Sequence, residues 1–303
     1  MTAGSLPVSF DPNRPDFAPY GLTCVHWRPS PMRRPDHHNE VELNFLESGT
    51  VTYLLGGRKT VVDSGSIGVF WAAIPHQIID FGHGTSYFVA TIPLQWFLQW
   101  RLPEDFVQPL LKGSLIQEPT TARAVSDSRL FAQWEEDLPR KSSEIEKAVL
   151  LEMHARLVRF ALNLPVRPKP VTKRERLAIV TDTGLNKVEQ MACYIAQHYT
   201  EKLTVDEIGK FVNLHPNYAM NLFQKTFGTT LFNYLIQHRI SHAQRLLVTT
   251  DSSITDVAFS SGFNSISRFN DAFRRACGFA PRDYRRLHEL HEVGEVVSGK
   301  SAS

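Results

Sequence analysis

The sequence predicts a two-domain α+β protein: an amino-terminal unit of short strands and a carboxy-terminal, all-helical unit carrying two helix-turn-helix motifs. Three observations predict it. Between Glu40 and Pro93 the runs VELNFL, VTYLL, KTVVD, SIGVFWA and YFVATI are rich in β-branched and aromatic residues. Gly49, Gly56, Gly57, Gly65, Gly82 and Gly84 punctuate them, as in a small all-β barrel or sandwich. Beyond Leu185 the chain reads as helical, with hydroxyl caps at Thr204 and Ser253 each followed three residues later by a carboxylate, Glu207 or Asp256. Within that half, Thr204–Gly228 and Ser253–Gly278 resemble each other at an offset of 49 residues.

The elements follow in order. Residues 1–36 hold seven prolines (Pro7, Pro12, Pro15, Pro19, Pro29, Pro31, Pro35) and are expected to form an extended arm. Residues 37–125 form the β unit. Across 126–162, Ile145, Val149, Met153, Leu157 and Phe160 recur at three- and four-residue spacing, and Leu150, Leu151, Val158 and Leu162 widen the apolar surface. That predicts a helix buried on two sides, against the β unit and against a second copy of the chain, so a homodimer is expected. Residues 163–184, opening with NLPVRPKPVTKRER, read as a linker. The helical domain spans 185–290, with Pro281 in the first turn of its last helix, and 291–303 is an unpacked, disordered tail.

Composition narrows the function classes. A chain of 303 residues buries two cores without staples, and three cysteines without paired spacing argue against a disulfide framework or a zinc module. No apolar run has the length of a membrane span, and the amino terminus lacks the features of a signal peptide. The expectation is a soluble cytoplasmic protein with no membrane partner. The net charge of +2 conceals a division. Residues 1–184 carry 20 basic and 20 acidic side chains, whereas residues 210–290 carry ten basic and five acidic. The surplus that suits a polyanionic partner therefore lies in the helical domain.

The duplicated segment has a specific physical logic. Each copy places a small residue (Gly209 or Ala258) at the centre of its first helix, and four residues later one that tolerates positive φ (Asn213 or Gly262). An apolar plug, Leu214 or Phe263, and an aromatic anchor, Phe223 or Phe273, complete it. Such spacing lets a second helix cross the first closely and present a polar face to a DNA major groove. A plain helical bundle with a solvated face is the competing reading, and the duplication weighs against it.

The stretch Ile254-x-x-Val257-Ala258-x-x-x-Gly262-Phe263, then Ser267-Arg268-Phe269-x-x-x-Phe273-Arg274, then Gly278-x-x-Pro281-x-x-Tyr284-Arg285, resembles the signature of the AraC-type transcriptional regulators. The resemblance covers residues 185–290. One departure is Gly209, where that family usually has alanine; it is expected to loosen its helix by roughly 0.5–1 kcal/mol. The resemblance implies double-stranded DNA as partner, with one monomer placing two recognition helices in successive major-groove segments about 34 Å apart. Carried over by motif position, the base-reading residues are Asn217, Met220 and Asn221 in one helix and Ser267, Arg268 and Asp271 in the other. Lys225, Arg274 and Arg275 are expected at phosphates, and Asn264 and Ser265 lie on the same outward side. Asp256 is a cap, with RNA polymerase contact as an alternative role.

In the β unit, Asp36, His38, Glu42 and the later His76 resemble the cupin pattern of inward-facing ligands, with Asp36 standing where a second histidine is usual. The expectation is a metal-free pocket, with no cofactor and no catalytic residue, that binds a small-molecule effector. Alternation along a strand turns Glu42 and Asn44 the same way. Trp71 is expected to stack on a sugar ring, while His38, Glu42, Asn44 and His76 bond its hydroxyls. Trp96 and Trp100 are expected in the core. HNEVELN, VFWAAIPHQ and NYAMNLFQ together are similar to sugar-responsive members of the family, which implies an α-galactoside-like effector and an activator of a carbohydrate operon. Two readings stand beside it: a metal-dependent cupin enzyme fused to a DNA-binding domain, and an effector-independent DNA-binding protein; structural histidines on a barrel rim are the third reading of the polar cluster itself.

Overall fold

A computed structural model describes residues 19–30, 32, 34–164 and 187–288. The amino-terminal 18 residues of the expected arm, most of the expected linker and the expected tail lie outside the described residues.

The first half is sheet-rich. Strands β1 (Thr23–Trp27), β2 (Glu40–Ser48), β5 (Ile67–Trp71), β7 (Ser86–Pro93) and β8 (Ile116–Gln117) form one antiparallel sheet in the order β1-β7-β2-β5-β8. Strands β3 (Thr50–Leu55), β4 (Arg58–Asp63) and β6 (His76–Phe81) form a second, ordered β4-β3-β6. The two sheets do not close into one barrel among the described residues, so the cupin-like expectation is met only as a two-sheet region. Within the expected arm, the segment TCVHW, free of proline, joins the edge of the first sheet as β1, with Val25 opposite Val89.

Strand alternation sorts the first sheet's residues between two faces. Helices α1 (Leu94–Gln99), α2 (Glu104–Leu111) and α3 (Ala124–Asp137) cover the outer one, where Phe131 of α3 packs on Phe45 with ring centroids 5.5 Å apart. A short 3₁₀ turn at Leu138–Arg140, which contains Pro139, then redirects the chain into α4 (Ser143–Leu162). Val149, Met153, Leu157 and Phe160 of α4 are buried in the same core, and Phe160 meets Phe106 of α2 edge-on at 5.3 Å. The opposite side of α4 is bare: Leu151 is 69% and Leu162 74% exposed.

The second half is helical: α5 (Lys187–His198), α6 (Val205–Phe211), α7 (Pro216–Phe227), α8 (Leu231–Thr249), α9 (Ile254–Ser260), α10 (Ile266–Cys277) and α11 (Pro281–His288). Helix α8 spans two cores. Leu231, Tyr234 and Leu235 pack with α5–α7, whereas Ile240, Ala243 and Leu247 pack with α9–α11.

The pairs α6–α7 and α9–α10 follow one plan. Thr204 and Glu207 form a reciprocal capping box at α6, and Ser253 caps α9 by accepting from the Asp256 N–H at 3.1 Å. Asn213 at φ 54° and Gly262 at φ 90° make the turns. In both, the plug's N–H returns to the small residue's carbonyl, Leu214 to Gly209 at 2.9 Å and Phe263 to Ala258 at 3.1 Å. Gly209 is more than a loosening of its helix. A Cβ there would lie 2.8 Å from the Leu214 carbonyl oxygen, so the close approach itself requires glycine.

The two halves touch at several points among the described residues, where Leu54 joins the core of the first helices and Val248 packs against the sheet-rich core. Gly57, in the β3–β4 turn, sits where a Cβ would fall 2.8 Å from the Ala196 Cβ of α5. The Ser241 hydroxyl of α8 donates to the Ala73 carbonyl. On α11, Tyr284 and His288 both reach Asn39.

Candidate effector cavity and nucleic-acid interface

The inner face of the first sheet, opposed by β3 and β6, lines a small pocket that opens to solvent. Strand register explains its lining. Glu42 stands opposite Thr91 and Phe70, and Trp27 opposite Tyr87, so these side chains share one face. Tyr20, Tyr53, Trp27 and Tyr87 supply aromatic wall, and Asp36, Glu42 and His76 supply polar groups.

A buried charge chain lies at the polar end. His38 donates from Nδ1 to Glu40 Oε2 at 2.8 Å and from Nε2 to Glu42 Oε1 at 2.7 Å. With both ring nitrogens donating, the ring is an imidazolium. Burial opposes that charge, but the bonds and charges of the two carboxylates override it, and the His38 pKa is raised to about 9. Burial likewise opposes ionised Glu42, yet its bond from His38 and the neighbouring imidazoles hold its pKa below the ordinary value. The other Glu42 oxygen accepts from Asn44 Nδ2 at 3.4 Å, and Asn44 Oδ1 accepts from Tyr53 at 3.1 Å. His76 donates from Nδ1 to the Ile74 carbonyl at 3.1 Å, which aims Nε2 towards Glu42, 3.7 Å away.

Asp36, His38 and His76 each bring one possible ligand atom within 4.8 Å of the others. The set could hold a metal ion only if His38 gave up one of its two carboxylate-bonded protons, since a metal needs a lone pair from each imidazole.

Of the five residues expected in the pocket, His38, Glu42, Asn44 and His76 converge, with His38 and Asn44 behind Glu42 rather than on the cavity wall. Trp71 does not join them. It pairs with Val41, one residue out of phase with Glu42, and is fully buried on the other side of β5. The indole at the cavity is Trp27, which the sequence reading left in the arm. Glu40 was also missed, although alternation from Glu42 and Asn44 was signal enough to place it. Trp96 and Trp100 pack at the core's edge as expected.

In the helical half, Asn217, Met220, Asn221 and Lys225 are exposed along one side of α7, whose first turn is fixed by Pro216 and by His215 accepting from the Asn217 N–H at 3.3 Å. Ser267, Arg268, Asp271, Arg274 and Arg275 are exposed on α10, Asn264 precedes it, and Ser265 caps it by accepting from the Arg268 N–H at 3.4 Å. Asn264, Arg268, Asp271 and Arg275 share one wall of a broad groove that faces α8 and residues 200–203, while the four α7 residues lie outside it. Exposed Tyr218 on α7 and Ile266 on α10 flank these sets and were not singled out from sequence. No helix among the described residues is long and apolar enough to cross a membrane.

Capped helical pairs with polar outer faces, built on a shared helix and joined to a sheet-rich region, define a DNA-binding regulator of helix-turn-helix type. Residues 208–287 match the family model described as a helix-turn-helix domain. Over 274 residues the chain is 31% identical to the melibiose operon regulatory protein of Escherichia coli (strain K12), covering 90% of this chain and 86% of that one. It is also 30% identical over 279 residues to the uncharacterized HTH-type transcriptional regulator YdeC of Bacillus subtilis (strain 168), covering 88% of each. Among solved structures, the DNA-binding domain of AdpA in complex with a target DNA is 27% identical and covers 34% of this chain and 94% of that one, at a TM-score of 0.33. The chain belongs to the AraC-type family of DNA-binding transcriptional regulators.

Proposed function

We propose that this regulator responds to a sugar, an α-galactoside such as melibiose, and activates a carbohydrate-utilisation operon. The observation that carries this reading is the cavity itself, in which a buried, ionised Glu42 faces aromatic walls. A carboxylate with a free acceptor direction bonds vicinal hydroxyls, and Trp27 offers a face to the apolar side of a pyranose. The name of the Escherichia coli relative supports the choice of sugar.

In this reading α7 and α10 are the two recognition helices. Asn217, Met220, Asn221, Ser267, Arg268 and Asp271 meet bases, Lys225, Arg274 and Arg275 meet phosphates, and Asn264 and Ser265 flank the second contact. A second copy covers the exposed stripe of α4, where Ala148, Leu151, Ala155, Val158 and Leu162 recur at alternating three- and four-residue spacing. RNA polymerase is the partner proposed for exposed Asp256 on α9.

Coupling between cavity and DNA runs through two segments that carry cavity groups and also touch the helical half. Asn39 lies between His38 and Glu40 and bonds α11, and Ala73 lies three residues before His76 and bonds α8. A sugar alters DNA binding to the extent that it prefers one arrangement of these contacts. The test is calorimetry with melibiose and a panel of other sugars, followed by DNA binding with and without the sugar that binds. Binding to wild type that is lost in Glu42→Gln, together with a changed DNA affinity, supports the reading. A protein indifferent to every sugar sinks it in favour of an effector-independent regulator.

A further inference from the structure

A second, solvent-open cavity lies between the two halves of the molecule. Gly56, Ile74, Leu111 and Lys112 line it from the sheet-rich half, and Ala196, Tyr199, His238, His242 and Arg245 from the helical half. Its basic groups are ordered. His238, His242 and Arg245 are spaced by four and three residues, which places all three on one side of α8.

Its charge is uncompensated. No Asp or Glu lines the cavity, and the Arg245 guanidinium, whose charge interacts with Tyr199, makes no ion pair or hydrogen bond among the described residues. Arg245 is nevertheless half-buried, and that burial presses its pKa down with no carboxylate to offset it. His238 is only 4% exposed, yet its Nε2 has no hydrogen-bond partner, and neither has Nδ1 of His242. Protein interiors rarely hold cationic and polar groups in this condition unless something else completes them.

We infer that this interdomain cavity is a binding site for a small oxyanion, with Arg245 and Lys112 as charged partners and His242, His238 and the Tyr199 hydroxyl as hydrogen-bonding ones. The chemistry fits inorganic phosphate or the phosphoryl group of a phosphorylated metabolite. Lys112 comes from one half of the molecule and Arg245 from the other, so the anion binds the docked arrangement and stabilises it by mass action. This site is separate from the sugar cavity and from the outer faces of α7 and α10.

The experiment uses the full chain. Thermal unfolding and calorimetry are run with inorganic phosphate, with a hexose phosphate, and with chloride at matched ionic strength. Phosphate is expected to raise Tm above the chloride control and to slow amide exchange in both the β3–β4 turn and α8. Arg245→Met and Lys112→Met are each expected to weaken phosphate binding at least fivefold; Lys112 is exposed, so its variant keeps the fold. Arg129→Ala, exposed on α3, is expected to leave phosphate binding unchanged. A hexose phosphate that binds tighter than phosphate identifies a phosphorylated metabolite as the ligand, and equal affinity identifies phosphate itself. A phosphate effect no larger than that of chloride overturns the inference. So does a response that survives Lys112→Met and Arg245→Met but is lost in Arg274→Ala, because the anion then sits on the DNA-facing surface.

Discussion

Tyr284 on α11 donates its phenolic hydrogen to Asn39 Oδ1 at 2.8 Å, and Asn39 Nδ2 approaches His288 Nε2 at 3.3 Å on the same helix. Gln244 Nε2 of α8 donates to the same phenol at 3.3 Å. One residue of the sheet-rich half, set between the two members of the His38–Glu40 pair, is thus fixed to the last helix of the DNA-binding half.

Tyr284→Phe keeps the ring, which packs on Phe273 with centroids 5.3 Å apart, and deletes only the hydroxyl. The expected loss of stability is about 1–2 kcal/mol, the effect of leaving Asn39 Oδ1 and the Gln244 amide unsatisfied. The sugar affinity and the DNA affinity, each measured alone, should stay near wild type. Their mutual effect should shrink, and a sugar-dependent shift in DNA affinity as large as that of wild type would remove this contact from the coupling route.

Arg156 on α4 is held between Asp127, through Nε–Oδ1 at 2.7 Å and Nη2–Oδ2 at 2.8 Å, and Glu118. All three residues are buried. Arg156→Met leaves two carboxylates buried without their cation and is expected to cost about 3–5 kcal/mol, read as a large fall in Tm. Replacing Glu118 and Asp127 by apolar residues in the same variant should recover most of that loss. A single variant with wild-type Tm would show that the cluster is well solvated in solution.

Stability should peak near pH 6.5. His38 keeps its proton in the folded state up to about pH 9, whereas the unfolded imidazole releases it near 6.5. Its contribution, on the order of 3 kcal/mol, is therefore complete below pH 6.5 and is lost as pH rises through about 9. Burial holds His37 and His238 down to about 3, and burial with the Arg245 charge holds His242 at about 4. The unfolded forms of these three take up protons below 6.5 while the folded forms do not, so stability also falls on acidification. Urea unfolding across this range measures both limbs. His38→Gln should flatten the alkaline limb alone, and an unchanged alkaline limb in that variant contradicts the assignment.

Arg268→Ala should lower affinity for the specific operator by about 1–3 kcal/mol and leave scrambled DNA nearly unaffected, as for a bidentate contact to guanine. Lys225→Ala should weaken both DNAs and reduce the salt slope by about one unit. Equal losses for Arg268→Ala on both DNAs would move that side chain to a phosphate.

Leu151→Asp and Leu162→Asp, on the bare side of α4, should convert a dimer to a monomer in sedimentation and leave Tm close to wild type. A monomeric wild-type protein, or dimers in both variants, places the contact between copies elsewhere.

Local pattern carried the sequence reading a long way in the helical half. Thr204 with Glu207, Asn213, Gly262 and the plugs Leu214 and Phe263 act within a few residues of themselves, so their spacing alone specifies capped helices and sharp turns. The same holds for Val149, Met153, Leu157 and Phe160, whose helical period marks the buried side of α4. The residue types at Glu42, Asn44 and His76 likewise announced a polar cluster within the strands.

Register and long-range pairing were decided only by the tertiary structure. Trp71 falls outside the cavity because β5 pairs it with Val41, and a one-residue difference in register moves a side chain through the sheet. Trp27 enters the cavity because TCVHW finds the edge of β7, a partner more than 60 residues away that no local period reveals. Gly209 looked like a weak helix position, yet the Leu214 carbonyl closes on it in space. The His38 charge needed two carboxylates placed on its two nitrogens. The placing of Lys112 and Arg245 on one cavity, and the meeting of Asn39 with Tyr284, came from packing one half of the chain on the other. Periodicity records what a residue prefers among its neighbours in sequence; which distant side it faces is a property of the packed chain.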